Sequence, residues 1–282
     1  MTQSVPDIEA TGRKGQRYAI RQKLWKEGAI TSVVHIYANC LVTGRCKTDI
    51  DIKITMKKVV LITGASGNLG KAAVERFIAE GYHIVATVTP GKSLNFAAEQ
   101  VEEVEVNLTN EVMVQDVIRR VLEKHSAIHA ALLLAGGYAS GNVHSTDGDT
   151  LKKMWSSNFE TAYYITRPLF EHMLSQNGGR IVFVGARPAL QPADGKKSLA
   201  YALSKSLLFN LAEILNAEGA EKNVVTAVIV PSTIDTPQNR AAMPKADFSR
   251  WVKPEDIANV LAFAVSSDGI LREPVFKVYG KT

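Results

Sequence analysis

From residue 56 onward, short apolar runs alternate with longer segments of helical periodicity, and this alternation limits the fold more than any other feature of the chain. The runs are KKVVLIT, YHIVATV, VEEVEVNL, HAALLLAG, RIVFVGA, NVVTAVIVP and PVFKVYG. Between them, AAVERFIAEG, EVMVQDVIRRVLEKH, TLKKMWSSNFETAYYITRPLFEHMLS and LAYALSKSLLFNLAEILNAEGA carry apolar residues three and four apart. Strand and helix alternating in this way predict an α/β fold, a doubly wound parallel sheet with helices on both faces and right-handed crossovers. Ligands of such sheets bind beyond the carboxyl ends of the strands, where the strand order reverses. The residues just after each strand are therefore the ones able to share a site.

The first 55 residues read differently. They are polar and weakly patterned, with one short strand expected in VVHIYANCLV, and they hold nine Lys/Arg against five Asp/Glu. The net charge of +5 thus sits mostly there, while residues 56–282 carry 24 basic against 23 acidic residues and are nearly neutral. A near-neutral body argues against a nucleic-acid partner. Both cysteines, Cys40 and Cys46, also fall in this segment, so the remainder has no thiol for a disulfide, a zinc site or a nucleophile. The expectation is a poorly ordered N-terminal extension over 1–55, or an upstream stretch whose true start is Met56, followed by one domain over 56–282. Asp7, Glu9 and Glu27 count against a transit peptide. No run approaches the roughly 18 apolar residues of a membrane span, so no membrane partner and a cytoplasmic location are expected. His125 and His129 are spaced i,i+4, but Ser-Ala-Ile between them reads as a turn, and no metal is expected.

TGASGNLG, residues 63–70, follows the first apolar run directly and opens a helix, the context of a dinucleotide-binding turn. Gly64 would permit the tight turn, Gly67 the approach of backbone to pyrophosphate, and Gly70 close packing of helix on strand. Unpaired N–H groups and the positive dipole end at the helix start would face the phosphates.

The spacing resembles the TGxxxGxG or TGxxGxxG turn of the short-chain dehydrogenase/reductase superfamily, and later segments match in order. LLAGG at 133–137 stands where that family has NNAG, Asn158 lies in the following helix, Tyr201 and Lys205 form YxxxK within YALSK, and PSTIDT at 231–236 replaces PGxxxT. The resemblance covers essentially all of 56–282. It implies a Rossmann-type single domain, a homodimer or homotetramer joined through the long helices, and a small-molecule substrate. It also implies nicotinamide-cofactor contacts at Gly64, Ser66, Gly67, Asn68, Leu69, Gly70, Thr89, Asn107, Leu108, Ala135, Gly136, Pro231, Ile234 and Thr236, as well as at the catalytic pair.

Reducing a carbonyl needs a hydride, which the cofactor supplies, and a proton, which the protein supplies. Tyr201 and Lys205 are four apart and share a helix face. Tyr201 is the expected proton donor, and Lys205 is expected to lower its pKa from about 10 and, as the resemblance implies, to hold the nicotinamide ribose. Asn158 matches the family asparagine that supports a proton-relay water.

One position departs from the pattern. The family serine after the fifth strand is replaced by Ala186, and Ser198, the first hydroxyl to follow it, lies on the wrong side of the loop to replace it. That departure is similar to dihydropteridine reductases, as are AGG followed by Tyr138, the GAR at 185–187 and the segment DTPQNRAAMPKADFSRW at 235–251. Those enzymes reduce a quinonoid, already electrophilic substrate. At the end of the second strand, Val88-Thr89-Pro90-Gly91-Lys92 contains no acid, which favours NADP over NAD, with Thr89, Lys92 and Ser93 as candidate contacts. Tyr138, Arg187, Gln191, Asn239, Met243 and Trp251 are expected in loops over the substrate, where Arg187 would suit an acceptor or negative group. The competing readings are a catalytically weak NAD(P)-binding sensor, which Ala186 favours and the Tyr201, Lys205 and Asn158 set opposes, and a nucleotide-sugar epimerase, for which too little chain follows Lys205.

Overall fold

The computed structural model describes residues 57–94, 96, 99–266 and 271–281, together with the backbone of four short strands within 9–55. The chain divides into two compact units, Met1–Lys57 and Lys58–Thr282. In the first, β1 (Glu9–Thr11) pairs antiparallel with β2 (Arg17–Ala19), and β3 (Val33–Ala38) with β4 (Ile50–Thr55). The strand expected in VVHIYANCLV is β3, which ends at Ala38. Cys40 and Cys46 lie outside the described residues.

The second unit holds seven strands: β5 (Val59–Thr63), β6 (His83–Val88), β7 (Val101–Glu105), β8 (Ala130–Leu133), β9 (Gly179–Val184), β10 (Val224–Pro231) and β11 (Val275–Val278). All pair in parallel, in the order β11-β10-β9-β8-β5-β6-β7. The helices are α1 (Asn68–Ala79), α2 (Glu111–His125), α3 (Gly148–Trp155), α4 (Thr161–Ser175), α5 (Arg187–Leu190), α6 (Leu199–Gly219), α7 (Pro237–Ala242) and α8 (Pro254–Ser266). This is the doubly wound, Rossmann-type sheet that the alternation predicts. β5 lies between β6 and β8, so the strand order reverses at its carboxyl end.

Burial explains the strand sequences. Every residue of β5, β8, β9 and β10 is buried, as expected for central strands covered on both faces, and their sequences are mainly apolar, with Thr63, Arg180 and Thr226 the exceptions. VEEVE in β7 is rich in glutamate and has no fully buried residue, as suits an edge strand with one partner, β6. On one face, Val114, Val117, Ile118 and Val121 of α2 pack with Ile165 and Leu169 of α4 and Leu208 of α6. On the other, Ala73, Val74 and Phe77 of α1 pack with Ile257 and Leu261 of α8. Burying a side chain such as Phe77 stabilises the fold by about 1.5–3 kcal/mol. The α2 helix starts where the Asn110 side chain accepts from the Met113 N–H at 3.1 Å, and it ends at Ser126, whose φ is 60°.

One element differs from the sequence expectation. The single long helix expected in TLKKMWSSNFETAYYITRPLFEHMLS is two helices, α3 and α4, joined by a π-helical turn at Ser156–Glu160. In a regular helix Trp155 and Asn158, three apart, would share a face. Here Trp155 is half-exposed and Asn158 is 1% exposed, because the wider turn swings Asn158 inward.

Candidate active site

β5 delivers Thr63 to the switch point, and the chain turns there. Gly64 has φ of +65°, a conformation that costs glycine nothing, and a Cβ on it would lie 2.9 Å from the Ala135 backbone nitrogen. That nitrogen donates to Thr63 Oγ1 at 3.1 Å, so the loops after β5 and β8 touch. The Gly67 N–H donates to the Gly64 carbonyl at 3.0 Å. A Cβ on Gly70 would collide with that same carbonyl oxygen and stand 2.6 Å from Ala65 Cα. Gly70 therefore serves the closure of the turn itself, where the sequence suggested packing of helix on strand. A Cβ on Gly67 would meet only Gly64 O, at 3.3 Å, so its outer side is open. No side chain caps the first N–H groups of α1, and its first turn has no acid. The turn is thus shaped and charged to receive an anion, and it fits the pyrophosphate of a dinucleotide.

Beside the turn lies a cleft of about 230 Å³. Gly64, Ser66, Thr89, Asn107, Leu108, Ala135 and Gly136 line it, together with Thr87, Val88, Val106, Thr109, Ser157 and Thr161, which the sequence did not single out. Asn107 Oδ1 accepts from the Thr109 N–H at 3.1 Å and from its Oγ1 at 2.8 Å, so the asparagine folds its own loop around the cleft. No carboxylate lines the cleft. Lys92 and Ser93 are not among its lining either: the Lys92 N–H closes a turn onto Thr89 O at 2.9 Å, and Ser93 Oγ donates to Glu103 at 3.2 Å.

Pro231 ends β10, and Ile234 and Thr236 follow it. Ile234 bridges to Val252, and Thr236 Oγ1 accepts from the Asn239 N–H at 3.1 Å, capping α7. None of the three lines the cleft. Their segment is brought against the cradle by Asn68 Nδ2, which donates to Gln238 Oε1 at 2.8 Å. Leu69 packs into the core beside α8.

The three expected catalytic residues converge below Gly136. Asn158 Oδ1 accepts from the Gly137 N–H at 2.9 Å, and its Nδ2 donates to Gly137 O and to Ser204 Oγ, both at 3.1 Å. A Cβ on Gly136 would lie 2.5 Å from Asn158 Oδ1 and 3.2 Å from Lys205 Nζ, so only glycine leaves room for both. Lys205 Nζ donates to the Val184 carbonyl at 2.8 Å, tying α6 to the end of β9. Tyr201 meets the edge of the exposed Tyr138 ring, with centroids 5.1 Å apart at 66°.

The electrostatics differ from the sequence expectation. Burial pushes the Tyr201 hydroxyl up to about 12, with a further upward push from Tyr138, and Lys205 does not offset it. Burial pushes Lys205 down to about 8 from the usual 10.5. Between pH 8 and 10.5 the unfolded chain binds a proton at this lysine that the folded chain does not. Stability should therefore rise with pH across that window. Lys205→Met should remove the rise, and it also gives up the hydrogen bond to the Val184 carbonyl. Denaturant unfolding of both proteins at pH 7, 8, 9 and 10 reads this, and parallel profiles would refute it.

Ala186 is 4% exposed and presents no hydroxyl where the family has one. Ser198, also buried, forms a backbone bridge with Gly141 at the start of α6. Arg187 does not offer a free charge: it pairs with Asp194 at 3.0 Å, donates to Gln191 at 3.2 Å and lies over the Tyr279 ring at 5.3 Å. Asn239 Nδ2 donates to the Ile234 carbonyl at 2.8 Å and holds its own loop. Met243 is exposed, and Trp251 stacks near Phe248, ring centroids 4.8 Å apart.

Comparison with known proteins agrees with this geometry. The profile of the short chain dehydrogenase family matches residues 58–247. The acetoacetyl-CoA reductase of Acinetobacter sp. (strain RA3849) is 25% identical over 230 residues, covering 76% of this chain and 92% of that protein. The dihydropteridine reductase of Dictyostelium discoideum is 27% identical over 212 residues, covering 73% and 87%. A solved structure described as ElxO with NADP bound has a TM-score of 0.74 at 21% identity, covering 80% of this chain and 98% of its own, which is a likeness of fold.

Proposed function

Given that the chain belongs to the short-chain dehydrogenase family and is an NAD(P)-dependent oxidoreductase, we propose that it reduces a small, electrophilic quinonoid substrate of the dihydropteridine kind, with NADP as its cofactor. The observation that carries the substrate class is Ala186. A carbonyl of ordinary reactivity gains from a positioned donor that strengthens its polarisation as negative charge develops, an effect worth about 3–4 kcal/mol where it has been removed. A substrate whose ring is already electron-poor loses less without it. The similarity to the Dictyostelium dihydropteridine reductase supports the reading.

The bound nicotinamide supplies the hydride. Gly64, Gly67 and the start of α1 would hold its pyrophosphate, and Asn107 and Leu108, which line the cleft, would contact its adenosine half. The absence of a carboxylate from the cleft, with Thr89 at the end of β6, supports a 2'-phosphate. Tyr201 breaks its O–H bond and gives the proton to the substrate oxygen or nitrogen that receives negative charge. Pushed up to about 12 by burial, Tyr201 is neutral at pH 7 and holds the proton to be given. Lys205, at about 8, is the group able to return a proton near neutral pH. Asn158 pins the Gly136-Gly137 strip against α6 and keeps Tyr201 and Lys205 in register.

The proposal also includes a homo-oligomer. Leu151 and Trp155 of α3 face Leu203 and Leu207 of α6 across an open apolar groove of about 740 Å³, and Trp155, Phe159 and Tyr163 continue it as a row of rings. A second copy presenting the same groove would cover it; light scattering reads the mass.

The deciding experiment follows nicotinamide absorbance with NADPH and with NADH, against quinonoid dihydropterin and a panel of simple ketones. The expected result is a higher kcat/KM for the quinonoid substrate, with NADPH preferred. Faster ketone reduction would overturn the substrate class, and an NADH preference the cofactor.

A further inference from the structure

A second cluster of chemistry lies at the opposite end of the sheet. His83 opens β6 and Glu102 is the second residue of β7, so both stand at the amino ends of strands whose carboxyl ends form the cofactor cleft, and His125, the last residue of α2, meets them there. Their donor atoms lie within 4.8 Å of one another. His125 Nε2 is 2.8 Å from Glu102 Oε2, and His83 Nε2 is 3.6 Å from the same oxygen. The two imidazole rings have centroids 4.8 Å apart. His83 Nε2 is buried and has no hydrogen-bond partner. Its nearest polar partner, Glu102 Oε2, stands beyond hydrogen-bond range, at a separation that a shared ligand would bridge.

We propose that His83, Glu102 and His125 bind one borderline divalent cation of the zinc class, with water completing its coordination. Two imidazoles and a carboxylate are the donors such ions take, at about 2.0–2.2 Å from the metal. Tetrahedral geometry at those lengths places donors about 3.4 Å apart. The His83–Glu102 separation is already close to that value, and the His125–Glu102 contact must lengthen by about half an ångström. Lys124 Nζ now occupies the approach, 2.8 Å from Glu102 Oε2. Its side chain is 60% exposed, so it can leave for water as the cation enters. The bound ion would clip the edge strand β7 to both β6 and the end of α2. Its effect is on stability, and hydride chemistry at the other end of the sheet goes on without it.

Full-length protein is dialysed against zinc alone, and bound metal is counted in wild type, Glu102→Gln, His125→Gln and Lys124→Gln. Imidazoles and thiols are zinc donors wherever they stand in a chain, so the difference between proteins is what counts. The expected result is one equivalent fewer in Glu102→Gln and His125→Gln, tighter binding in Lys124→Gln, and a zinc-dependent rise in Tm that Glu102→Gln loses. Equal stoichiometry in all four proteins, or a wild-type Tm indifferent to zinc, overturns the site. Should a ligand variant fail to fold, wild type and Lys124→Gln still decide: equal zinc affinity in the two refutes the proposal.

Discussion

Tyr201→Phe loses about 10²–10⁴-fold in kcat while cofactor affinity stays within a few-fold of wild type. The substitution removes one hydroxyl and keeps the ring that packs against Tyr138, so the pocket wall and the α6 helix stay in place. What is lost is the proton for the developing negative charge, about 3–5 kcal/mol of barrier. Water cannot substitute at equal rate, because it lacks a fixed position beside the acceptor atom. Steady-state kinetics at saturating NADPH, with a separate titration of NADPH by fluorescence, separates the two effects. Turnover within tenfold of wild type would show that another group delivers the proton, and a matching loss of NADPH affinity would show that Tyr201 acts through binding.

Gly70→Ala weakens cofactor binding by about 10- to 100-fold with the rest of the fold intact. The added methyl has nowhere to go: Gly64 O and Ala65 Cα are backbone atoms of a turn only a few residues long. Relieving the clash means opening the turn that the Gly67 N–H to Gly64 O hydrogen bond closes, and the strain of such overpacking is about 1–3 kcal/mol. Gly67→Ala is the control, since its methyl meets one atom at 3.3 Å, which a shift of a few tenths of an ångström accommodates. Titration of both variants with NADPH, with circular dichroism to confirm folding, tests the contrast. An unchanged dissociation constant in Gly70→Ala would mean that the turn is free to move.

These effects fall on residues that were legible in the sequence because their signals are local. Thr63 to Gly70 announce a turn by spacing alone, and Tyr201 and Lys205 need only one helical turn to meet. The strands were legible for a similar reason: a run such as VVLIT has no polar face to offer and must be covered on both sides. The rest depends on distance along the chain. Thr87, Thr109, Ser157 and Thr161 are small hydroxyl residues without any pattern of their own, and only the switch point of the sheet brings them to one cleft. The His83, Glu102 and His125 cluster joins three elements, and its one visible hint, the i,i+4 pair with His129, pointed elsewhere: His129 Nδ1 instead accepts the Val59 N–H at 3.0 Å. Lys92 and Ser93 were misplaced because a loop charge near a strand end reads the same whether it faces a ligand or solvent. The pKa of Tyr201 was misjudged in direction, since sequence shows the lysine four residues away and conceals the burial that outweighs it.

The π-helical turn at Ser156–Glu160 makes chain length, as well as residue type, a constraint at this point. Each residue added to or removed from a helix rotates everything beyond it by about 100°. The wide turn is where that rotation is set, so that α3 shows Trp155 to the outer groove while Asn158 reaches Gly137 and the buried face of α4 carries Ile165 and Leu169. Surface loops of this fold can lengthen or shorten with little consequence. These five residues cannot, since a single deletion would turn Asn158 away from its strip and the aromatic row away from its groove at one stroke.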